Sequence, residues 1–217
     1  MLSRRLFVIA APLFTAGCAG MSGSSGVQNV SLLTDPRYGE VEDNGFTIPA
    51  VDLKGFDPRF LRQEVADPTG QPVGTVVVDP SAHMLYLVLP DGKALRYGVG
   101  VGRDGFAWSG DATIARKAVW PTWTPPAEMV ARDPQSAPWA NGMPGGPDNP
   151  LGARALYLYQ NGVDTLYRIH GTNAPHSIGK SMSSGCIRML DQDIIDLHSR
   201  VPVGSRAVVL PARGGEV

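Results

Sequence analysis

Short runs of apolar and β-branched residues, separated by turn residues, dominate the sequence after residue 73. They predict strands at 75–79, 84–89 and 94–100, and the Pro90-Asp91-Gly92-Lys93 segment has the composition of a tight turn between the last two. The same pattern predicts four further strands, at 112–120, 153–159, 165–170 and 206–210. The chain is therefore predicted to be mostly β.

Helical periodicity is confined to one short segment that follows residue 190. Asp191 is of a residue type that caps helices, and Ile194, Ile195 and Leu197 would supply one apolar face. The segment from Pro121 to Pro150 instead contains eight prolines, which predicts a long irregular loop of the kind that often forms a lid or a binding loop. The compact domain is expected at residues 73–211.

The first 17 residues have the pattern of an export signal. Arg4 and Arg5 precede an apolar run at 6–14, which is too short to span a bilayer, and the arginine pair also resembles a twin-arginine signal. Residues 15–18 resemble a lipoprotein box in which Cys18 becomes lipidated; a plain signal peptidase site near 16 or 19 is the alternative. We therefore expect a periplasmic or envelope protein that is anchored to a membrane by a lipid.

Residues 18–72 are expected to form a tether and an arm that precede the domain. The Gly/Ser-rich stretch at 20–26 suits a flexible tether. The rest of this segment has no sustained period and predicts an extended arm that wraps the domain. One helical turn is expected at 57–62, where Asp57 would cap the turn and Pro58 suits the first helical position.

Charge and cysteine content narrow the function. The 217 residues carry a formal net charge of −1 and no Lys/Arg stripe, which argues against a nucleic-acid partner. The only two cysteines are Cys18 and Cys186, so lipidation or removal of Cys18 leaves Cys186 without a partner in the chain. A thiol of this kind in an oxidising compartment is either reactive or an inert core residue.

His170 and Cys186 are the residues most suited to chemistry. Cysteine attacks as the thiolate, and its ordinary pKa of about 8.5 leaves it mostly protonated at neutral pH. A neighbouring imidazole that takes the proton would activate it as a thiolate–imidazolium pair. A third group must hold the imidazole tautomer. Because no carboxylate is evident beside His170, the backbone carbonyl of Gly171 is expected to do this.

The residues around Cys186 suit an acyl substrate. Gly185 permits a sharp turn, and the backbone N–H groups of Gly185 and Cys186 are expected to face a developing oxyanion, where each donor is typically worth about 3 kcal/mol. Arg188 would project on the same side as Cys186 in an extended segment and pair with a substrate carboxylate. Ser184 is expected either to donate to the oxyanion or to hold the loop.

These residues resemble the L,D-transpeptidase catalytic domain (YkuD-like domain), a family of enzymes that remodel bacterial peptidoglycan. The resemblance is carried by His170-Gly171-Thr172 and, sixteen residues after the histidine, by the segment around Cys186, which reads Ser184-Gly185-Cys186-Ile187-Arg188-Met189. Supporting stretches lie at 74–79, 97–103, 120–126 and 145–152. The resemblance covers about residues 73–210.

The resemblance implies a β-sandwich-like domain in which Cys186 is the nucleophile and His170 is the base, with no metal or organic cofactor. In the implied reaction, Cys186 attacks the third-residue carbonyl of a peptidoglycan stem tetrapeptide and D-Ala leaves. A stem-peptide amine then takes the acyl group in a 3→3 cross-link. Ser184, Thr172 and Arg188 are expected on the substrate side.

Several alternatives stay open. Water as the acceptor would make an L,D-carboxypeptidase, and a protein amine would make a wall-anchoring enzyme; no obligate protein partner is evident. A non-catalytic lipoprotein that tethers membrane to wall is the alternative from another class, and the intact Cys–His pair argues against it. A papain-like hydrolase would place its Cys before its His. His176 could join His170 and Cys186 at a zinc ion, but a fourth ligand and short metal-binding spacing are missing.

Overall fold

The computed structural model describes residues 35–102, 108–183 and 185–212. Its strands and α-helices in chain order are β1 (Val41–Asp43), β2 (Phe46–Ile48), β3 (Gln63–Ala66), β4 (Val76–Asp79), β5 (Met84–Leu89), β6 (Lys93–Gly98), β7 (Val101–Gly102), β8 (Gly110–Val119), α1 (Ala127–Arg132), β9 (Arg154–Gln160), β10 (Val163–His170), β11 (Ser181–Ser183), β12 (Ile187–Arg188), α2 (Asp191–Arg200) and β13 (Arg206–Val209). All seven predicted strands are confirmed to within a few residues. In the described part of the chain, neither helix is long and apolar enough to cross a membrane.

Nine strands form one sheet in the order β12-β10-β9-β8-β13-β4-β5-β6-β3. The pairs β10–β12 and β4–β13 are parallel, and the other pairs are antiparallel. Tyr97 on β6 and Ile187 on β12 are far apart in this order, yet both are buried in the same apolar cluster. The sheet therefore curves around one core, and the predicted mostly β, sandwich-like fold class is confirmed.

Helix α2 packs on the core face of the curved sheet. Its side chains Ile194 and Leu197 are fully buried in the main apolar cluster, as the sequence pattern predicted, whereas Ile195 is only partly buried and lies outside this cluster. From the adjacent strand β8, the Lys117 ammonium donates hydrogen bonds to the carbonyls of His198 and Val201 at the end of the helix. This packing fixes the segment between β12 and α2, which follows Cys186.

The arm is more ordered than the sequence suggested. Its strand β3 pairs with β6 and so joins the main sheet, and β1 and β2 form a hairpin. The turn of this hairpin is Asn44-Gly45, with φ of 53° and 83°. An Asn-Gly pair between two short strands is a strong hairpin signal, so this turn is readable from the sequence. The predicted helical turn is present as a 3₁₀ helix at Pro58–Phe60, capped by Asp57.

The predicted Pro-rich loop contains the short helix α1, which sequence patterning did not predict. The buried amide of Asn149 organises the loop by donating to the carbonyls of Pro121, Met143 and Pro144. One side-chain amide thus holds three loop carbonyls together in a segment whose prolines have no N–H to donate. Helix α2 lies after Cys186 as expected, whereas the expected loop at 121–150 is interrupted by α1.

Candidate active site

The site is built where β10 ends beside β12. These strands run parallel with Ile169 opposite Ile187 and His170 opposite Arg188. Because side chains alternate between the two faces of a strand, the two isoleucines point into the core. His170, Cys186 and Arg188 lie on the other face. The structure therefore brings the predicted base, nucleophile and arginine together across one parallel strand pair.

His170 is held in one tautomer by its own backbone neighbour. The imidazole is buried, and its Nδ1 lies 2.6 Å from the carbonyl oxygen of Gly171. A carbonyl only accepts hydrogen bonds, so Nδ1 carries the proton and Nε2 is left as the basic nitrogen. Burial lowers the pKa of His170 to about 4, with smaller contributions in the same direction from Arg188 and Arg168. The imidazole is therefore uncharged at neutral pH and able to accept a proton.

Cys186 is the residue immediately before β12. Burial raises the pKa of its thiol, while a hydrogen bond from the Arg168 backbone N–H and the charges of Arg168 and Arg188 oppose this effect. Both partners of the Cys–His pair are thus favoured in their neutral forms, because low-dielectric surroundings penalise either charge. This differs from the thiolate–imidazolium pair expected from sequence. The proton would pass to the imidazole as the sulfur attacks.

The backbone before the thiol is tightly confined. Gly185 is buried and has a φ of 130°, in the region that favours glycine. On the facing strand, a Cβ added to Gly102 would come within 2.8 Å of the Gly185 Cα. Two glycines therefore allow β7 to approach the nucleophile segment. The oxyanion role of the Gly185 and Cys186 N–H groups stays a prediction.

Arginines gather on the same face as Cys186. Arg188 is half-buried, and within the described residues its guanidinium has no hydrogen-bond or ion-pair partner, so burial lowers its pKa. Arg168 forms two hydrogen bonds to the Asp164 carboxylate and stacks over the ring of Tyr157. Arg116 stacks on the same ring from β8. Arg168 was not singled out from the sequence, because the strand pairing that brings it beside Cys186 is non-local.

Thr172, which was expected on the substrate side, lies in the loop that follows His170. Thr172 is buried behind His170, and its hydroxyl accepts from the Ala174 N–H at 3.0 Å, so it holds the loop in this structure. The end of the Pro-rich loop contacts the same segment, where Asn173 donates to the Asp148 carbonyl.

Ser184 and Cys18 lie outside the described residues. The exposed His176 lies on a 3₁₀ turn, and no group of three potential metal ligands occurs among the described residues.

Asp191 departs from its predicted role as a helix cap. It is the first residue of α2, Leu190 occupies the cap position, and no side chain caps the helix. The Asp191 carboxylate instead accepts a hydrogen bond from the backbone N–H of Ala153 at 2.8 Å, and the nearby Thr172 N–H lowers the pKa of this carboxyl. A Cβ on Gly171 would overlap this carboxylate. The sequence offered no signal for this contact beyond the residue type.

The fold and the site together define a mostly β domain with an imidazole at the end of one strand and a thiol immediately before its parallel neighbour. A model of the YkuD family, the L,D-transpeptidase catalytic domain, matches residues 74–209. The chain belongs to this family. The family expected from the sequence motifs is therefore confirmed.

Two curated relatives come from Escherichia coli strain K12. The probable L,D-transpeptidase YbiS is 34% identical over 166 residues, which is 73% of this chain and 52% of the relative. The probable L,D-transpeptidase ErfK/SrfK is 37% identical over 141 residues, which is 62% of this chain and 43% of the relative. The chain thus spans about half the length of these relatives.

One solved structure, from Brucella melitensis, is 49% identical and has a TM-score of 0.50. The match covers 72% of this chain and 97% of that one, which is named a probable carnitine operon oxidoreductase caia.

Proposed function

We propose that this protein is a peptidoglycan L,D-transpeptidase in which Cys186 is the acylated nucleophile and His170 is its base. The proposal rests chiefly on the parallel register of β10 and β12, which places both side chains on one face. The Gly171 carbonyl then leaves the basic nitrogen of His170 available. Family membership supplies the substrate class.

In the proposed reaction, the Cys186 sulfur bonds to the third-residue carbonyl carbon of a stem tetrapeptide, and its proton passes to Nε2 of His170. The N–H groups of Gly185 and Cys186 stabilise the tetrahedral oxyanion, as donors in such sites typically do by about 3 kcal/mol each. Collapse breaks the amide bond, and the departing D-Ala amine takes the proton from His170. A stem-peptide amine then attacks the thioester and restores the thiol.

Arg188 is proposed to bind a carboxylate of the donor. It lies two residues after Cys186 on the same face, half-buried, and forms no ion pair within the described residues. A guanidinium in partly desolvated surroundings binds a carboxylate strongly and in a defined orientation. Ser184 and Thr172 are proposed to shape the donor site. Cys18 is proposed to carry a lipid that holds the domain in the periplasm.

Product analysis tests the proposed reaction. The protein is incubated with a disaccharide-tetrapeptide, beside a Cys186→Ala variant, and the products are separated by mass spectrometry. Release of D-Ala with a 3→3 dimer, absent from the variant, is the expected result. Release of D-Ala without a dimer would identify a carboxypeptidase or an enzyme that uses a protein acceptor. An unchanged tetrapeptide would overturn the proposal in favour of a non-catalytic wall-binding lipoprotein.

A further inference from the structure

The peptide that joins Gly171 to Thr172 is held from both of its edges. On one edge, the Gly171 carbonyl accepts the Nδ1 proton of His170 at 2.6 Å. On the other edge, the Asp191 carboxylate packs against the same peptide, because a Cβ on Gly171 would overlap its Oδ1, and the Thr172 N–H lowers the pKa of this carboxyl. The C=O and N–H of a trans peptide point in opposite directions, so the imidazole and the carboxylate lie on opposite sides of one planar, polarisable group.

The contact is built closely around this peptide. A Cβ on Gly171 or on Gly152 would overlap a carboxylate oxygen of Asp191, so both positions must be glycine for the carboxylate to reach the backbone. The same carboxylate accepts from the Ala153 N–H at 2.8 Å. The Gly171 N–H in turn donates to the Arg154 carbonyl at 3.0 Å. Every hydrogen bond here fixes the backbone that orients His170.

We propose that Asp191 is a positioning residue for His170 that acts through the Gly171–Thr172 peptide. The negative charge polarises this peptide, makes the Gly171 oxygen a stronger acceptor, and so stabilises the imidazolium that forms when Cys186 loses its proton. In other nucleophile–base–acid sites, a carboxylate hydrogen-bonds directly to the imidazole and stabilises the imidazolium. Here the carboxylate acts on the imidazole through one peptide. This inference rests on the proposed function, because it concerns the base of that reaction.

Among the residues that the structure describes, five charged or titratable groups surround the relay formed by Asp191, the Gly171–Thr172 peptide and His170. Burial raises the pKa of Asp191 to about 6, against its two N–H donors, so the carboxylate is mostly ionised at neutral pH. The charged or titratable groups that face the two ends of the relay are Arg154 and Asp43 beside Asp191, and Arg168, Arg188 and Cys186 beside His170. The positive charges of Arg168 and Arg188 disfavour the imidazolium form of His170. The negative charge of Asp191, acting through the Gly171–Thr172 peptide, offsets this effect.

Asp191→Asn provides the main test, because the amide keeps an oxygen that can accept both N–H groups but removes the charge. Asp193→Asn is the matched control. Asp193 is a fully buried carboxylate on the same helix, and it contacts Tyr38 of the arm rather than the His170 loop. Both changes are made in the full chain carrying Cys18→Ser, which leaves Cys186 as the only thiol.

Two readouts do not depend on peptidoglycan: the NMR titration of the His170 ring and the pH profile of Cys186 alkylation by iodoacetamide. Asp191→Asn is expected to move the ring titration to lower pH and to slow alkylation at neutral pH about tenfold, a part of the 10²–10⁴ that a positioned base supplies. Asp193→Asn is expected to change neither. Equal behaviour of the two variants, or no effect of Asp191→Asn, would overturn the inference.

A measurement on the chain with native Asp191 covers the case in which Asp191→Asn does not fold. The Thr172 amide proton and the His170 ring nitrogens are followed by NMR as Asp191 titrates. Coupled movement of both signals with one midpoint is expected, and a Thr172 amide that titrates while the ring does not would overturn the relay. Absence of D-Ala release from a tetrapeptide would overturn the transpeptidase proposal alone and leave these readouts intact.

Discussion

Gly100 and Arg188 exchange two backbone hydrogen bonds, with N···O distances of 2.9 Å and 2.8 Å. They hold the strand after Cys186 from the side opposite to β10, so the nucleophile segment is fixed between two backbones. A Cβ on Gly100 would lie 2.6 Å from the carbonyl oxygen of Ser177, which is backbone and cannot move cheaply. The bridge therefore depends on glycine for steric reasons.

Gly100→Ala is expected to lower the free energy of unfolding by about 1–3 kcal/mol, the usual cost of overpacking. It should also slow acylation of Cys186 by a carbapenem, because the strand after Cys186 must shift. Chemical denaturation and intact-protein mass measure the two effects. Gly146→Ala is the control, since its added Cβ would make only an ordinary 3.7 Å contact with Phe46. Equal results for the two variants would contradict the proposed role of the bridge.

The pH dependence of the Cys186 thiol tests the neutral resting pair. Burial raises the pKa of this thiol and lowers that of His170 to about 4, so neither group is charged at pH 7. Thiolate absorbance at 240 nm is expected to be absent at neutral pH and to appear only in the alkaline range. Cys186→Ser supplies the baseline. Thiolate absorbance that persists down to pH 5 would instead indicate a preformed ion pair.

The Asp43 carboxylate anchors the β1–β2 hairpin to the domain. It forms two 2.7 Å hydrogen bonds with the nearly buried Arg154 guanidinium and accepts from the Trp120 indole at 2.8 Å. Asp43→Ala is expected to lower the free energy of unfolding by about 3–5 kcal/mol, because it leaves a buried charge without its partner. Glu42 is the neighbouring, exposed carboxylate, and Glu42→Ala should change the free energy of unfolding by less than about 0.5 kcal/mol.

The same ion pair has a defined pH dependence. The Arg154 hydrogen bond holds the pKa of Asp43 below its ordinary value. Its stabilising contribution is therefore complete above the unfolded pKa of about 3.9 and is lost as pH falls through the folded pKa. Urea denaturation measures the free energy of unfolding of the native chain and of Asp43→Ala. The difference between the two values should be constant from pH 5 to 8 and shrink below pH 4. A difference that grows with acidity would contradict this assignment.

Arg188→Gln tests the proposed carboxylate contact. Loss of the guanidinium should raise the KM for the tetrapeptide at least tenfold, since a charge-assisted hydrogen bond contributes about 1.5–3 kcal/mol. Alkylation of Cys186 by uncharged iodoacetamide should change little. Arg206→Gln, on a strand distant from the site in the sheet order, is the control. An unchanged KM in Arg188→Gln would remove Arg188 from the donor site.

Local signals predicted most of the fold. The strands β4, β5 and β6 were recognised because β-branched runs and a Pro-Asp-Gly turn act over neighbouring residues. Helix α2 was recognised from its apolar face. The short strands β7, β11 and β12 were missed because two or three residues carry no period, and their pairing depends on distant partners.

The site was predicted in part for the same reason. His170 and Cys186 stood out because their residue types and motif identify them without geometry. Arg168 and Asp191 could not be recognised, since one reaches Cys186 through a parallel strand register and the other reaches Thr172 through packing of α2. A carboxylate that acts through a backbone peptide leaves no motif in the sequence.

The most direct test of the account is to map an acyl-enzyme. The protein is mixed with disaccharide-tetrapeptide without an acceptor, quenched in acid, digested and analysed by mass spectrometry. We expect a thioester adduct equal to the donor minus D-Ala on the peptide that contains Cys186. The adduct should be absent in Cys186→Ala and much slower to form in His170→Ala. An adduct on any other residue, or none while D-Ala is released, would contradict nucleophilic catalysis by Cys186.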